Sequence, residues 1–195
     1  MKDKSFDYLN ITYNNVPPAA GKLLLAEPFS EDPFFRKTVV LLTEYSKGGA
    51  VGFILNKPLK ITTDDLMESG FSGTSEVCFG GPVGNNTLHY IHNLSGITGA
   101  IEVLPGIYWS GDQDELKMRL SDSGRSGNYI RFFLGYSGWS GSQLEQEMKN
   151  HAWIVADPEV SALLQISPGL WEDTLRSMGG KYRLWANFPD DPADN

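Results

Sequence analysis

The chain reads as a single α+β domain, and three observations predict it. Apolar runs of strand length, rich in branched and aromatic residues, dominate the first half. Segments opened by helix-capping residues gather toward the end. The 195 residues suffice for one domain with a real core and would be cramped as two. Regularly alternating parallel βαβ units would interleave strand and helix throughout, and this order does not.

Composition narrows the class. Sixteen Lys and Arg stand against 24 Asp and Glu, a net charge of −8 with a pI near 4.8, and hydrophobic residues make up 41%. No apolar run approaches the ~20 residues of a membrane span, so no membrane association is expected. The single cysteine, Cys78, excludes an intramolecular disulfide and a cysteine metal cluster. The opening MKDKSFDYLN has no apolar signal core, and the cytoplasm is the expected compartment. The negative balance repels phosphate, Lys and Arg are scattered, and no DNA-binding motif is present. Direct nucleic-acid binding is therefore not expected.

Along the chain, residues 1–20 are polar and end in NNVPPAAG. Pro17 and Pro18 favour extended backbone, so this segment is expected to be an arm or edge strand lying on the domain. The domain proper is placed at 21–186. Residues 22–26, 38–45 and 51–56 are strands, the last two joined by a hairpin-like turn at 46–50 where glycines can take positive φ. Shorter strands are expected at 76–79 and 90–92, with Gly80-Gly81-Pro82-Val83 and NNT at 85–87 as breakers. Residues 99–103 and 106–109 should pair across LeuProGly. The last strand, 129–134, runs into a glycine-rich turn.

Helices announce their starts. Thr62 with Asp65, Asp112 with Glu115 and Ser142 with Glu145 resemble capping boxes. Asp157-Pro158 and Ser167-Pro168 place an N-cap before proline. Leu144, Met148 and Ala152 form the apolar stripe of the helix at 143–150. Gly179 and Gly180 end the final helix at Met178. Residues 187–195 are expected to form a disordered acidic tail.

The segment FFLGYSGWSGSQLE at 132–145 is the most informative for chemistry. Gly135, Gly138 and Gly141 suggest a loop opening a helix, where free N–H groups could face solvent in a cleft or a ligand such as an anion, with Gln143 beside them. The spacing fits neither a dinucleotide fingerprint nor a phosphate loop, and neither Ser137 nor Ser140 has the glycines of a nucleophile elbow. A tight turn with Trp139 packed as a wedge is the favoured reading, and Trp139 is expected to be buried. Gly80 and Gly81 read as a turn that could also approach a ligand. Three histidines are too few and too dispersed for a metal site, with His89 and His92 on opposite faces of a strand. Cys78 reads as a small buried hydrophobe. The adjacent carboxylate pairs do not converge as a catalytic dyad. No cofactor is expected.

Several motifs, in order, resemble the AlgH/YqgE family. They begin with Ala26-Glu27-Pro28, Asp32, Phe35-Arg36, Val39-Val40, Glu44, Gly49-Ala50-Val51-Gly52 and Leu55-Asn56-Lys57-Pro58. Gly80-Gly81-Pro82-Val83, Ile91-His92, Leu134-Gly135-Tyr136, Gln143-Leu144-Glu145, Glu147, Ala152-Trp153 and Trp171 continue them. The resemblance covers about residues 21–180. It implies a bifurcated β-sheet folded into a pseudo-barrel with flanking helices, and a bacterial, soluble protein whose family name implies regulation. Tyr45, Ser137 and Cys78 depart from the residues common in that family. A ligand- or partner-binding module without catalysis is the expected function, its candidate residues being Asn56, Gly80, Gly81, His92, Gly135, Gly138, Trp139 and Gln143. The alternative is a hydrolase or transferase in which His92 acts as base with Glu44 and Asn56 beside it. Nothing in the residues fixes the ligand, the partner or the oligomeric state.

Overall fold

A computed structural model describes Asn14 and residues 16–66, 71, 75–122 and 129–188. Its strands are β1 (Leu23–Ala26), β2 (Val39–Ser46), β3 (Gly49–Ile54), β4 (Pro58–Thr62), β5 (Glu76–Phe79), β6 (Val83–His92), β7 (Ile101–Leu104) and β8 (Ile107–Trp109). Then come α1 (Gln113–Asp122), β9 (Ile130–Ser140), α2 (Gln143–Lys149), β10 (Trp153–Ala156), α3 (Val160–Leu163), α4 (Leu170–Met178) and α5 (Tyr182–Trp185). This is a single mixed α+β domain, as expected.

The ten strands form one sheet along the path β10-β1-β2-β3-β9-β6-β8-β7. The sheet forks at β9. Strands β5 and β6 flank residues 132–134, while β3 takes over beyond Tyr136. Strand β5 fills the fork, pairing parallel to β9 and antiparallel to β4. Backbone crosses backbone so closely there that only glycine fits. A Cβ on Gly80 would lie 2.2 Å from the Gly135 oxygen, and one on Gly81 would lie 2.3 Å from the Tyr136 carbonyl. The sheet does not close, but it curls: a Cβ on Gly21, just before β1, would lie 2.9 Å from the Val103 oxygen of β7.

The half-sheet β10-β1-β2-β3 is covered on both faces, which explains the uninterrupted apolar runs LLLA, VVLL and WIVA. Leu23, Leu25, Val39, Leu41 and Phe53 face a core shared with Trp171, Leu175 and Trp185 of α4 and α5. Leu24, Ala26, Val40, Leu42 and Ile54 face the other side, with Trp139, Trp153 and Leu144 of α2. A third cluster packs Val77, Tyr90, Ile130 and Phe132 against Leu116 of α1. The Asn14 carboxamide bonds both Val155 N and Val155 O on the edge of β10, the only described hydrogen bonds of the arm's side chains to the sheet.

Several expectations need correction. The glycine-rich turn after residue 134 is strand: β9 continues through Gly135 and Gly138 to Ser140, because its last residues pair with β3. Strand β6 likewise runs through the NNT breaker to Val83. Ala152, expected on the face of the helix, lies beyond it: α2 ends at Lys149, and His151, at φ 64°, turns the chain toward β10, which begins at Trp153. The last helices start two residues later than their proline signals, at Val160 and Leu170, and α5 carried no signal at all. Thr62 donates its N–H and hydroxyl to Asp65, but opens only a 3-10 turn over Thr63–Asp65. Asp112 does cap α1, accepting from the N–H groups of Asp114 and Glu115 at 3.0 and 2.9 Å, whereas Glu115 turns to Thr98. Residues 1–13 of the expected arm and 189–195 of the expected tail lie outside the described residues.

Candidate functional site

The glycines assigned to ligand approach lie together, but against protein. Gly80, Gly81 and Gly135 meet at the fork, and Gly138 sits over the Tyr136 ring. Gly80 N–H donates to the Leu134 oxygen at 2.9 Å. Its own oxygen accepts from Ile54 N–H at 3.0 Å and the Ser137 hydroxyl at 3.1 Å. Two N–H groups just before α2 are already engaged with the protein. Gly141 N–H donates to the Gly48 oxygen, and Ser140 N–H to the Gln143 side chain.

Trp139 and Gln143 are brought together by Glu147. One Glu147 oxygen accepts from the indoles of Trp139 at 2.8 Å and Trp153 at 2.7 Å, and the other accepts from Gln143 at 3.0 Å. Phe35 stacks on Trp139 and meets Trp153 edge-on, at 6.2 and 5.4 Å between ring centres. Trp139 is 5% exposed, so its expected burial holds, but it sits on strand β9 and not in a tight turn. The carboxylate joins α2 to β9 and β10 by neutral donors, a strong type of hydrogen bond because the acceptor is charged.

Asn56 is buried as a clamp. Its oxygen accepts from Val39 N–H at 2.9 Å and its amide donates to the Lys37 oxygen at 2.8 Å, holding the loop at 27–38 to the start of β2. That loop gathers several of the family-like residues. Asp32 accepts from the N–H groups of Phe34 and Phe35, and Lys57 donates to the Pro33 and Phe34 oxygens. Burial lowers the Lys57 ammonium from its ordinary value, with Asp32 opposing, and burial raises the Glu27 carboxyl. Phe29 and Phe34 on the same loop are 47% and 48% exposed.

His92 is fully buried at the other end of the sheet. Its Nε2 donates to the Ser110 oxygen at 2.8 Å and its Nδ1 accepts from Leu94 N–H at 3.3 Å, which leaves neither nitrogen free as a base. Burial pulls its pKa below the ordinary histidine value. Glu44 is exposed on β2, opposite Val51. Strands β2 and β6 are three steps apart in the sheet, about 14 Å at the usual strand spacing. The structure does not bring Glu44, Asn56 and His92 into one pocket. His89 does point to the opposite face from His92, between the rings of Phe53 and Tyr136. Among the described residues no group of three His, Cys, Asp or Glu is placed to hold a metal, and no helix is long and apolar enough to cross a membrane.

Arg131 escaped the sequence reading. It is 2% exposed and has no ion pair among the described residues; its guanidinium donates to the oxygens of Leu163 and Gln165, both at 2.8 Å, and of Leu55. The available signal was an arginine inside the apolar strand pattern IRFFL. The i to i+4 spacing of Gln143 and Glu147 already put them on one helix face, whereas Trp153 was visible only as part of a resemblance.

Comparison with known proteins places this geometry. The profile of a family described as AlgH-like matches residues 23–183. A UPF0301 protein of Bacteroides thetaiotaomicron is 39% identical over 191 residues, covering 97% of both chains. One from Chlorobium limicola is 40% identical over 178 residues, covering 90% of this chain and 95% of its own. The fold is similar to the crystal structure of protein DIP2367 from Corynebacterium diphtheriae, with a TM-score of 0.74 and 21% identity over 90% of this chain and 95% of that one. It is also similar to the solution structure of the AlgH protein from Pseudomonas aeruginosa, with a TM-score of 0.68 and 24% identity over 90% and 97%.

Proposed function

The chain belongs to the AlgH-like family, and from that premise we propose that it is a non-catalytic module that binds a small ligand in the cytoplasm, in a regulatory role. One observation carries the reading. The side chains best suited to chemistry are engaged with the protein itself: both nitrogens of His92 and both polar atoms of Asn56 meet backbone, and the Ser137 hydroxyl donates to Gly80. A general base needs a free lone pair within reach of its substrate, and a buried group already bonded on both sides offers none.

A thermal-shift screen against a metabolite library tests this. A ligand present at 100 times its Kd adds about 2.7 kcal/mol of stability. The hit should be recovered chemically unchanged after prolonged incubation. Its conversion to a product, abolished in His92→Gln, would establish the enzyme alternative instead. A second reading, docking of a protein partner, is favoured by the exposure of Phe29 and Phe34 on the loop that Asn56 clamps. Phe34→Ser should abolish a protein interaction and leave small-ligand stabilisation intact.

A further inference from the structure

An open cavity of about 370 Å³, lined mostly by exposed residues, lies between the β6–β8 end of the sheet and α3, next to His92 and beside the segment that Arg131 holds. Its size falls at the small end of the range for small-molecule sites. Ile107, Val160 and Leu164 form apolar walls, and Asn93, Ser161 and Gln165 supply the polar groups.

The wall is braced. A four-residue helix such as α3 does not hold itself, because so short a segment cannot repay its nucleation. The buried Arg131 guanidinium holds it, donating to the oxygens of Leu163 and Gln165 on either side of Leu164. Burying a cation without a carboxylate is costly, and here the cost fixes the geometry of a cavity wall.

The lining has acceptors and a negative rim. The Asn93 carboxamide has no hydrogen bond among the described residues. Gln165 donates its amide to the Ser161 oxygen at 3.1 Å, leaving its own side-chain oxygen open. Glu159 accepts from the Ser161 hydroxyl at 2.7 Å, and Glu102 accepts from the N–H of Gly106, which also lines the cavity, at 3.2 Å. Both carboxylates are exposed and one hydrogen bond from the lining. No lysine or arginine lines the cavity; behind its wall Arg131 directs Nη1 at the oxygens of Leu163 and Gln165 and Nη2 at the Leu55 oxygen and the Cys78 sulfur, and its buried Nε has no hydrogen bond among the described residues.

We propose that this cavity binds a compact organic cation, a primary ammonium on a short aliphatic stem. The stem lies against Ile107, Val160 and Leu164. The ammonium meets the open oxygens of Asn93 and Gln165 in the field of Glu102 and Glu159. This deepens the binding-module reading and rests on it.

The test is an NMR titration of the ¹⁵N-labelled protein at pH 7 and low salt with n-butylamine, which is protonated there. Butylammonium should shift the side-chain amides of Asn93 and Gln165, while n-butanol and butyrate should not. Glu102→Gln with Glu159→Gln should weaken binding at least threefold, as should raising the ionic strength from about 0.01 to 0.15 M, which shortens the screening length from about 30 to 8 Å. Val160→Trp, at a position 44% exposed, should fill the cavity and abolish the shifts without unfolding the protein. Equal shifts with butanol, unchanged binding by the Val160→Trp variant, or no shifts at all would overturn the cavity site and leave the module reading standing. Chemical consumption of the amine, read from its own proton signals, would overturn the module reading while the site stood.

Discussion

A single carboxylate, Glu147, ties together three of the residues on which the sheet and α2 meet. Both indole donors and Gln143 converge on it. Trp139→Ala removes a buried ring from this arrangement and leaves a cavity, so it should cost about 3–5 kcal/mol, read as a shift of the urea midpoint. An unchanged midpoint with loss of a binding activity would make Trp139 a recognition residue instead. The histidines act in the opposite sense to a salt bridge. Burial lowers the pKa of both His89 and His92 below the value of about 6.5 they take when unfolded. Below that pH the unfolded chain binds more protons than the folded one, so stability is complete above about pH 6.5 and falls as pH drops toward the folded values. Each histidine contributes at most about 1.4 kcal/mol per pH unit. Glu27, with its pKa raised, opposes this at lower pH. Urea midpoints at pH 5 and pH 7.5 should therefore differ less in His92→Gln than in the unsubstituted protein.

Strand β9 is the element on which the fold turns, since it serves β3, β5 and β6 at once. Its fork exists because Gly80, Gly81 and Gly135 let two backbones touch. Gly81→Ala would drive a Cβ into the Tyr136 carbonyl, at φ +150°, with nothing flexible to yield. It should cost about 4 kcal/mol or more, in the range reserved for severe structural damage. Gly99→Ala is the control. It also sits at positive φ, +73°, but meets no atom within 4 Å, so only the local left-handed strain of about 1–2 kcal/mol applies. Thermal unfolding of the two variants should differ accordingly; equal losses would show that the crossing tolerates a side chain.

At the scale of the molecule, the net charge of −8 has no compensating basic face among the motifs. Phosphate neutralisation supplies most non-specific affinity for duplex DNA, and this surface offers little of it. Fluorescence anisotropy with labelled duplex DNA at physiological salt should show no saturable rise. A rise that weakened steeply with added salt would contradict the expectation. The curl of the sheet, which brings Gly21 up to Val103, gives the two-sided core and places α3 beside β8.

The α+β class, most strand positions and the cap of α1 were legible because they depend on local chemistry. Branched apolar runs prefer strands, and Asp112 satisfies N–H groups two and three residues away. The breakers misled for the same reason. Gly138 is a poor strand former in isolation, yet β3 pairs it with Val51; at Gly135 the crossing backbone leaves no room for a side chain; and the NNT segment falls in the register shift between Val83 and Leu88, where β6 bulges without ending. Of the candidate site, the burial of Trp139 and the opposite faces of His89 and His92 followed from residue type and strand period. The partners of Asn56, the bond of His92 to Ser110, the bracing of α3 by Arg131 and the meeting of Gly81 with Tyr136 join positions 17 to 55 residues apart. Those contacts are set by which strands become neighbours. That choice minimises exposed apolar surface over the whole chain, and no local window contains it.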